Sequence, residues 1–207
     1  MKELLKRYPN LVSCKEDIEK TANILIESYK KGGKLLLCGN GGSSADCDHI
    51  VGELMKGFMS KRSLTEEKKR EMISNADYIN LQWLDELQGA LPAISLTAQS
   101  ALNTAFCNDV NPELLYAQQL MGLASKGDIL FCISTSGNSK NVYAAAVVGK
   151  ALGIKVIALT GQSGGKLKEI ADVCICAPET ETYKIQELHL PIYHYLCAEI
   201  EKYFFEN

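Results

Sequence analysis

The sequence has no apolar run approaching the roughly 20 residues that a membrane-spanning helix requires. Its first ten residues, MKELLKRYPN, also lack the apolar core of a secretory signal peptide. Positive charge is not in excess either, because 22 Lys and Arg stand against 25 Asp and Glu, so nothing electrostatic favours nucleic acid as a partner. With 207 residues, the chain is predicted to be one compact cytoplasmic α/β domain that binds neither membrane nor nucleic acid.

Cysteine pairs with the spacing of a structural zinc site are also absent. The chain has eight cysteines but no CxxC pair, so we expect no zinc site built from cysteines. Four of the cysteines lie inside apolar, strand-like runs, namely Cys38, Cys132, Cys174 and Cys176. Because free thiols behave as small apolar side chains, we expect these four to be reduced and buried.

Two turns rich in glycine and hydroxyl side chains are the most informative features present. The segment LLLCGNGGSS (35–44) and the segment ILFCISTSGNS (129–139) each join an apolar, strand-like run to a stretch with helical spacing. Glycine turns and helix N-termini both present backbone N–H groups to anions, so each segment is a candidate phosphate site. A tight connection without a ligand, with one or two hydroxyls as helix caps, is the alternative for either turn alone.

Short apolar runs alternate with helical patterns along most of the chain. Strands are predicted at 34–38, 94–96, 129–133, 155–159 and 173–176, with helices up to Gly32 and at 141–152, 166–171 and 185–205. We expect a bend in the last helix at Pro191. This alternation predicts an α/β fold with a parallel sheet that helices cover on both faces. Both hydroxyl-rich turns then lie at the carboxyl ends of strands, where such sheets bind ligands.

The stretch from Gly57 to Leu91 is highly charged and predicts a helical insertion. Ser63 and Glu66 have the spacing of a capping box. A one-sided apolar stripe follows, formed by Tyr78, Leu81, Leu84 and Leu87. The segment is too long for a plain loop, and both a lid over the binding turns and a solvated decoration remain open.

The candidate chemical groups are histidines and one glutamate. His49 and Glu53 are four residues apart on the predicted helix that Ser43 would cap, so they share one face. His189 and His194 lie on the C-terminal helix. The turns contain no P-loop lysine, which argues against phosphoryl transfer, whereas a carboxylate beside an imidazole suits proton transfer next to a carbonyl. A surface pairing of Glu53 with a neighbouring lysine and a structural role for His189 are the alternatives.

Three motifs together resemble the sugar isomerase (SIS) domain family, and within it the phosphoheptose isomerases. They are GNGGSSADCDH (39–49), ISTSGNSKNV (133–142) and IQELHLPIYH (185–194). The resemblance covers nearly the whole chain except the charged insertion. It implies a three-layer α-β-α sandwich with a parallel flavodoxin-like sheet, in a homotetramer with active sites between subunits. It also implies conversion of sedoheptulose 7-phosphate to D-glycero-D-manno-heptose 7-phosphate through an enediol.

The resemblance also implies roles for individual residues. Glu53 would be the general base and His194 the acid. The sugar phosphate would be held by Ser43, Ser134, Thr135, Ser136 and Ser139, with Asn40, Gly41 and Gly42 in the turn and Asn108, Asp109 and Gln186 as further substrate contacts. Some members bind zinc, and the matching ligands here would be His49, Glu53, Gln186 and His194.

Two departures from the family pattern leave the identity of the sugar open. Tyr183 stands where some phosphoheptose isomerases have an acidic residue, and the insertion is longer than in compact members. The alternative function is a non-catalytic SIS module that senses a phosphosugar or binds a protein partner, as related proteins that assist replication initiation do. The presence of both Glu53 and His194 favours the enzyme.

Overall fold

The computed structural model describes residues 1–206, and its centre is a five-stranded sheet. The strands are β1 (Leu35–Gly39), β2 (Ala93–Ser95), β3 (Ile129–Ser134), β4 (Lys155–Thr160) and β5 (Val173–Cys176). All neighbouring strands are parallel, in the order β2-β1-β3-β4-β5. The predicted α/β class and the five predicted strands are therefore confirmed, with boundaries that differ by about one residue.

Ten α-helices accompany the sheet in residues 1–206. They are α1 (Lys2–Arg7), α2 (Lys15–Lys30), α3 (Gly42–Met55), α4 (Glu66–Asn75), α5 (Leu81–Glu86), α6 (Ser100–Asp109), α7 (Leu115–Leu123), α8 (Lys140–Ala151), α9 (Gly165–Ile170) and α10 (Thr182–Phe205), with 3₁₀ turns at Pro9–Cys14 and Pro112–Leu114. The helix α10 continues through Pro191. Helices α6 and α7 were not located in the sequence, because their apolar spacing is weak. No described helix is long and apolar enough to cross a membrane.

The sheet is apolar on both faces, and each face has its own helix layer. Leu35, Leu37 and Phe131 pack in one cluster with buried residues of α2, α3 and α10. Leu36 and Leu130 face the other way and pack with residues of α7, α8 and α9. Strands covered on both sides need apolar side chains at every position, which explains the unbroken apolar runs in the sequence. The three-layer sandwich is thus confirmed.

The cysteine prediction is confirmed in part. Cys38 and Cys132 are fully buried free thiols on the central strands. Cys174 and Cys176 are also free, but they are only half-buried, so the prediction of full burial was wrong for them. The reason is that β5 is an edge strand, whose outward side chains receive cover from the six-residue helix α9 rather than from a long helix.

The charged segment contains two short helices, and its predicted details need correction. The side chain of Thr65, rather than Ser63, caps α4 by accepting from the Lys68 N–H at 3.2 Å. Ser63 instead forms an isolated antiparallel bridge with Gln88. In the predicted apolar stripe only Leu84 is buried, whereas Tyr78, Leu81 and Leu87 are exposed. Three of the four side chains of the stripe therefore face solvent.

A buried ion pair holds the beginning of this segment. The Arg62 Nε donates to Glu201 Oε1 of α10 at 2.6 Å, and both side chains are fully buried. The same guanidinium donates to the carbonyls of Leu54 at 2.6 Å and Glu53 at 2.8 Å, at the C-terminal end of α3. Arg62 therefore joins α3 to α10 with one side chain, at a backbone φ of +47°.

His189 is a structural residue of α10, as the sequence alternative had it. Its side chain is completely buried, and its Nε2 lies 3.2 Å from the Thr160 carbonyl oxygen, to which it donates a proton. Burial lowers the pKa of His189 to about 4, and the carbonyl partner only partly opposes this shift. The folded protein therefore keeps this imidazole neutral at neutral pH.

This burial predicts a pH dependence of stability. Between the folded pKa of about 4 and the usual value of 6.5, the unfolded chain binds more protons at His189 than the folded chain does. Its contribution to stability is thus lost as the pH falls below 6.5, by at most about 1.4 kcal/mol per pH unit. Urea unfolding of the wild type and His189→Gln from pH 7 to pH 5 measures this. We expect a shallower slope in the variant, and equal slopes would contradict the assignment.

Candidate active site

The two hydroxyl-rich turns meet at one edge of the sheet. Strands β1 and β3 are neighbours, with Gly39 in register with Ile133, so the turns that follow them lie side by side. Strands β2 and β3 lie on opposite sides of β1, so the strand order reverses at β1. Open parallel sheets bind ligands at such a reversal, beyond the carboxyl ends of the strands.

A reciprocal amide pair ties the two turns together. The Asn40 Nδ2 donates to Asn141 Oδ1 at 2.8 Å, and the Asn141 Nδ2 donates to Asn40 Oδ1 at 3.0 Å. The hydroxyl of Tyr116 donates to the Gly39 carbonyl at 2.6 Å and also approaches Asn40 Oδ1 at 3.2 Å. These bonds occupy the Oδ1 and one amide N–H of Asn40, whose predicted contribution is support of the turn.

The first turn differs from the prediction at Ser43. The helix α3 begins at Gly42 and its N-cap residue is Gly41, with φ at +56°. Ser43 is buried inside the first helical turn, where its N–H donates to the Asn40 carbonyl at 3.0 Å. Ser43 is therefore not the cap. Glycine is needed at position 41 because the left-handed conformation there strains other residues.

The second turn contains four hydroxyl side chains. The Oγ atoms of Ser134 and Ser139 lie 3.0 Å apart, with Ser134 buried and Ser139 half-buried. Ser136 is exposed and its Oγ accepts from the Asn138 N–H at 3.1 Å. Thr135 is half-buried between them. Part of this hydroxyl set thus shapes the turn itself, although Ser139, the N-cap residue of α8, makes no side-chain cap hydrogen bond.

His49, Glu53 and His194 form a compact cluster beside the first turn. The Nε2 of His49 lies 3.0 Å from Glu53 Oε1 and 3.4 Å from the Nε2 of His194. One ligand atom from each of the three residues falls within 4.8 Å of the others. Phe58 packs on the His194 ring, with 5.4 Å between ring centroids. The two residues predicted as acid and base are therefore neighbours, although α3 and α10 are far apart in sequence.

Burial lowers the proton affinity of His194, the predicted acid. The pKa of His194 is lowered, first by burial and then by the neighbouring His49. His194 is therefore neutral at neutral pH. Glu53 is mostly buried, and its Oε2 atom has no hydrogen-bond partner among residues 1–206, although the Lys56 Nζ lies 3.8 Å away. This distance is too long for a hydrogen bond.

A second hydrogen-bond chain orients His49. The Tyr193 hydroxyl lies 3.2 Å from Asp46 Oδ1 and 3.0 Å from His49 Nδ1. Burial, followed by Asp46, raises the pKa of Tyr193, so the hydroxyl stays protonated. A carboxylate can only accept, so we assign the hydroxyl proton to Asp46 and the His49 proton to Nδ1. The Nε2 of His49 then faces the Glu53 carboxylate at 3.0 Å, and because a lone pair and a carboxylate both accept, this contact needs a proton or a cation between them.

The remaining predicted residues lie around this cluster rather than in it. The Gln186 amide packs directly on Gly42, where a Cβ atom would overlap it, so Gln186 covers the first turn of α3. Asn108 and Asp109 lie at the exposed C-terminal end of α6, where the Asn108 Nδ2 donates to Asp109 Oδ1 at 2.8 Å. No hydrogen bond that is described for residues 1–206 joins this pair to the cluster.

Sequence reasoning missed the partners of His49. The structure places Asp46 on the same face of α3 as His49, where it accepts from the Tyr193 hydroxyl. The spacing of Asp46 and His49, three residues apart on one helix, is a signal that could have paired them. Tyr193 gave no signal by itself, because its contact depends on how α10 crosses α3.

Comparison with known proteins identifies the family. The model of the SIS domain matches residues 2–90 and 86–161. The chain belongs to the SIS domain family. It is 40% identical over 190 residues to a phosphoheptose isomerase of Helicobacter hepaticus, covering 92% of this chain and 84% of the relative. It is 38% identical over 207 residues to a phosphoheptose isomerase of Nitratiruptor, covering 98% and 97%.

Solved structures of SIS relatives have the same fold as this chain. A phosphoheptose isomerase from Francisella tularensis superposes with a TM-score of 0.74 at 29% identity, covering 97% of each chain. The phosphoheptose isomerase GmhA from Neisseria gonorrhoeae superposes with a TM-score of 0.70 at 29% identity, covering 97% of this chain and 98% of the other. This SIS chain thus shares its fold with both enzymes over nearly its whole length.

Proposed function

We propose that this SIS protein is a phosphosugar isomerase that converts sedoheptulose 7-phosphate to D-glycero-D-manno-heptose 7-phosphate. The observation that carries the proposal is the cluster in which Glu53 and His194 converge on His49, next to two turns suited to a phosphate. The high coverage of phosphoheptose isomerases at 38–40% identity supports this choice of sugar.

In the proposed reaction, Glu53 is the group that moves the carbon-bound proton. Its carboxylate removes a proton from carbon 1 of the ketose and returns it to carbon 2. His194 gives a proton to the carbonyl oxygen on carbon 2 and takes one from the hydroxyl on carbon 1. The enediol lies between these two transfers, and both residues end in their starting states. A neutral His194 suits this exchange, since the ring nitrogen that gives its proton to the carbonyl oxygen can take one back from the hydroxyl on carbon 1.

The phosphate end of the substrate would lie in the two turns. Ser43, Ser134, Thr135, Ser136 and Ser139 are the proposed hydroxyl contacts, with Gly41 and Gly42 leaving the backbone open. Asn40 would keep the turns in register through Asn141. Gln186, above Gly42, would contact the sugar between phosphate and carbonyl.

The cluster also fits a zinc ion. Two imidazole nitrogens and a carboxylate oxygen are a common zinc donor set, and all three converge within 4.8 Å. The buried Glu53 Oε2, which has no hydrogen-bond partner in residues 1–206, is a further oxygen donor, and the assigned His49 tautomer leaves Nε2 free to bind. We propose His49, Glu53 and His194 as ligands, with Gln186 as the fourth. A bound zinc would polarise the sugar carbonyl.

Tyr193 provides a test of this metal site. Because Tyr193 fixes the His49 tautomer, Tyr193→Phe should weaken zinc binding by about 10-fold to 100-fold. Competition with a chromophoric chelator measures the zinc affinity without any substrate. Tyr195→Phe, two residues along α10, is the matched control and should bind zinc as the wild type does. Unchanged affinity in Tyr193→Phe would contradict the orienting role.

We also propose a homotetramer with active sites between subunits. The exposed Asn108–Asp109 pair and the open face of His49, whose side chain is 42% exposed, leave room for a neighbouring chain to complete the site. Light scattering should give a mass four times that of the 22.7 kDa chain. A monomer at assay concentrations would overturn this part of the proposal.

The proposed substrate is tested by direct assay. Purified protein incubated with sedoheptulose 7-phosphate should produce the aldose phosphate, followed by carbon-13 NMR. Unphosphorylated sedoheptulose is the control and should react much more slowly, since the two turns would then be empty. If a different ketose phosphate reacts and this one does not, the sugar assignment is wrong while the isomerase assignment stands.

A further inference from the structure

Two cysteines at the edge of the sheet lie close together, away from the cluster. Cys174 and Cys176 face the same side of β5, and their Sγ atoms are 3.6 Å apart. Both are half-buried free thiols, so reagents from solvent can reach them. We propose that Cys174 and Cys176 form a redox-active dithiol that peroxides oxidise to an intramolecular disulfide.

The backbone allows this bond to form. Residues i and i+2 of a strand are separated by about 6.4–6.8 Å between Cα atoms, which is the upper end of the range that disulfides span. Cys176 is the last residue of β5, and β5 pairs with β4 on one side only. The strand end can therefore shift slightly to close the bond. A disulfide with this span is strained, and strained disulfides are readily reduced again.

The surroundings make Cys176 the attacking thiol. The hydrogen bond from Cys174 comes first among the causes that lower the pKa of Cys176 to about 6, and Thr160 and Lys168 add to it. The Thr160 Oγ1 lies 3.7 Å from Cys176 Sγ and 3.5 Å from Cys174 Sγ. A thiolate at neutral pH is the form that reacts with peroxides.

The chemistry balances with hydrogen peroxide as the oxidant. The Cys176 thiolate attacks one peroxide oxygen and becomes a sulfenic acid, while the other oxygen leaves as hydroxide and takes up a proton. The Cys174 sulfur then attacks the sulfenic sulfur, and a second hydroxide leaves as water. Two thiols lose two electrons and two protons, and one peroxide becomes two waters.

The chain contains a matched control pair. Cys38 and Cys132 have Sγ atoms 3.8 Å apart, but both are fully buried on central strands. The hydrogen bond with Cys132, together with complete burial, holds the pKa of Cys38 well above its usual range. Proximity without access should leave this pair reduced.

Peptide mass mapping of the peroxide-treated full-length protein tests the proposal. After mild hydrogen peroxide and alkylation of the remaining thiols, the peptide with Cys174 and Cys176 should lack both alkyl groups and two hydrogen atoms. Dithiothreitol should restore both thiols. The Cys38 and Cys132 peptides should stay alkylated, and the exposed Cys107 reports general oxidation. In Cys174→Ser, Cys176 should give sulfenic acid that dimedone traps.

Any one of three results would contradict the proposal. A wild-type peptide that keeps both thiols while Cys107 is oxidised would overturn the proposal, as would a disulfide that joins Cys176 to another cysteine. Phenylarsine oxide, which bridges two neighbouring thiols, gives a second readout without oxidation. It should bind the wild type once at this peptide and lose that adduct in Cys174→Ser. Absence of the adduct in the wild type would contradict the dithiol.

Discussion

Replacement of Glu53 by Gln should lower the turnover of sedoheptulose 7-phosphate by about 100-fold to 10,000-fold, the usual loss when a general base is removed. Glutamine keeps the size of the side chain and can still contact His49, whose Nε2 lies 3.0 Å from Glu53 Oε1 in the wild type. It cannot accept a proton from carbon. Initial rates by NMR, together with the thermal unfolding midpoint, separate lost chemistry from lost folding.

Glu187→Gln is the matched control for this experiment. Glu187 is an exposed glutamate on α10, beside Gln186, and the proposed mechanism gives it no part. Its turnover should equal that of the wild type. Because Glu53 is also a proposed zinc ligand, the assay is repeated after chelation and after zinc is restored. Turnover of Glu53→Gln close to wild type in either state would remove Glu53 from the mechanism.

Glu201→Gln should lower the free energy of unfolding by about 3–5 kcal/mol, because it leaves a buried Arg62 without its counter-charge. The carboxylate also accepts the N–H groups of Phe58 at 2.7 Å and of Met59 and Ser60 at 2.6 and 3.2 Å. A glutamine at this position would place the two N–H donors of its amide against groups that are themselves donors. Urea unfolding measures the loss.

An exposed ion pair gives the control for Glu201. Glu71 pairs with Lys68 at 2.9 Å, and both side chains are more than half exposed. Glu71→Gln should change stability by less than about 0.5 kcal/mol, as surface pairs usually do. A loss in Glu201→Gln no larger than this would mean that the buried pair does not hold the segment that begins at Gly57.

The sheet and the two turns could be predicted because they depend on local pattern. Strands buried on both faces read as unbroken apolar runs, and the glycine turns mark where they end. The spacing of His49 and Glu53 on one helix is likewise a local property. The family resemblance then supplied His194, which lies 145 residues from His49 in sequence and approaches it only through tertiary packing.

Other features depend on tertiary packing and gave no sequence signal. The hydrogen bonds of Tyr193 to Asp46 and His49 exist because α10 crosses α3. Arg62 sits in a charged segment that reads as solvated, yet its side chain is fully buried against Glu201. The predicted cap at Ser43 was wrong because Gly41, with φ at +56°, is the N-cap residue and α3 begins at Gly42. Pattern alone does not specify which charged residue is buried.

The most direct test of the proton transfer is the reaction in deuterium oxide. When Glu53 exchanges its proton with solvent before returning it to carbon, the aldose phosphate carries deuterium at carbon 2, which proton NMR and mass spectrometry detect. We predict aldose phosphate from sedoheptulose 7-phosphate with deuterium at carbon 2 in the wild type, and almost no product in Glu53→Gln. If the substrate stays unchanged and unlabelled with wild-type protein that is folded, loaded with zinc and assembled, and no other ketose phosphate takes up deuterium either, the isomerase assignment is contradicted.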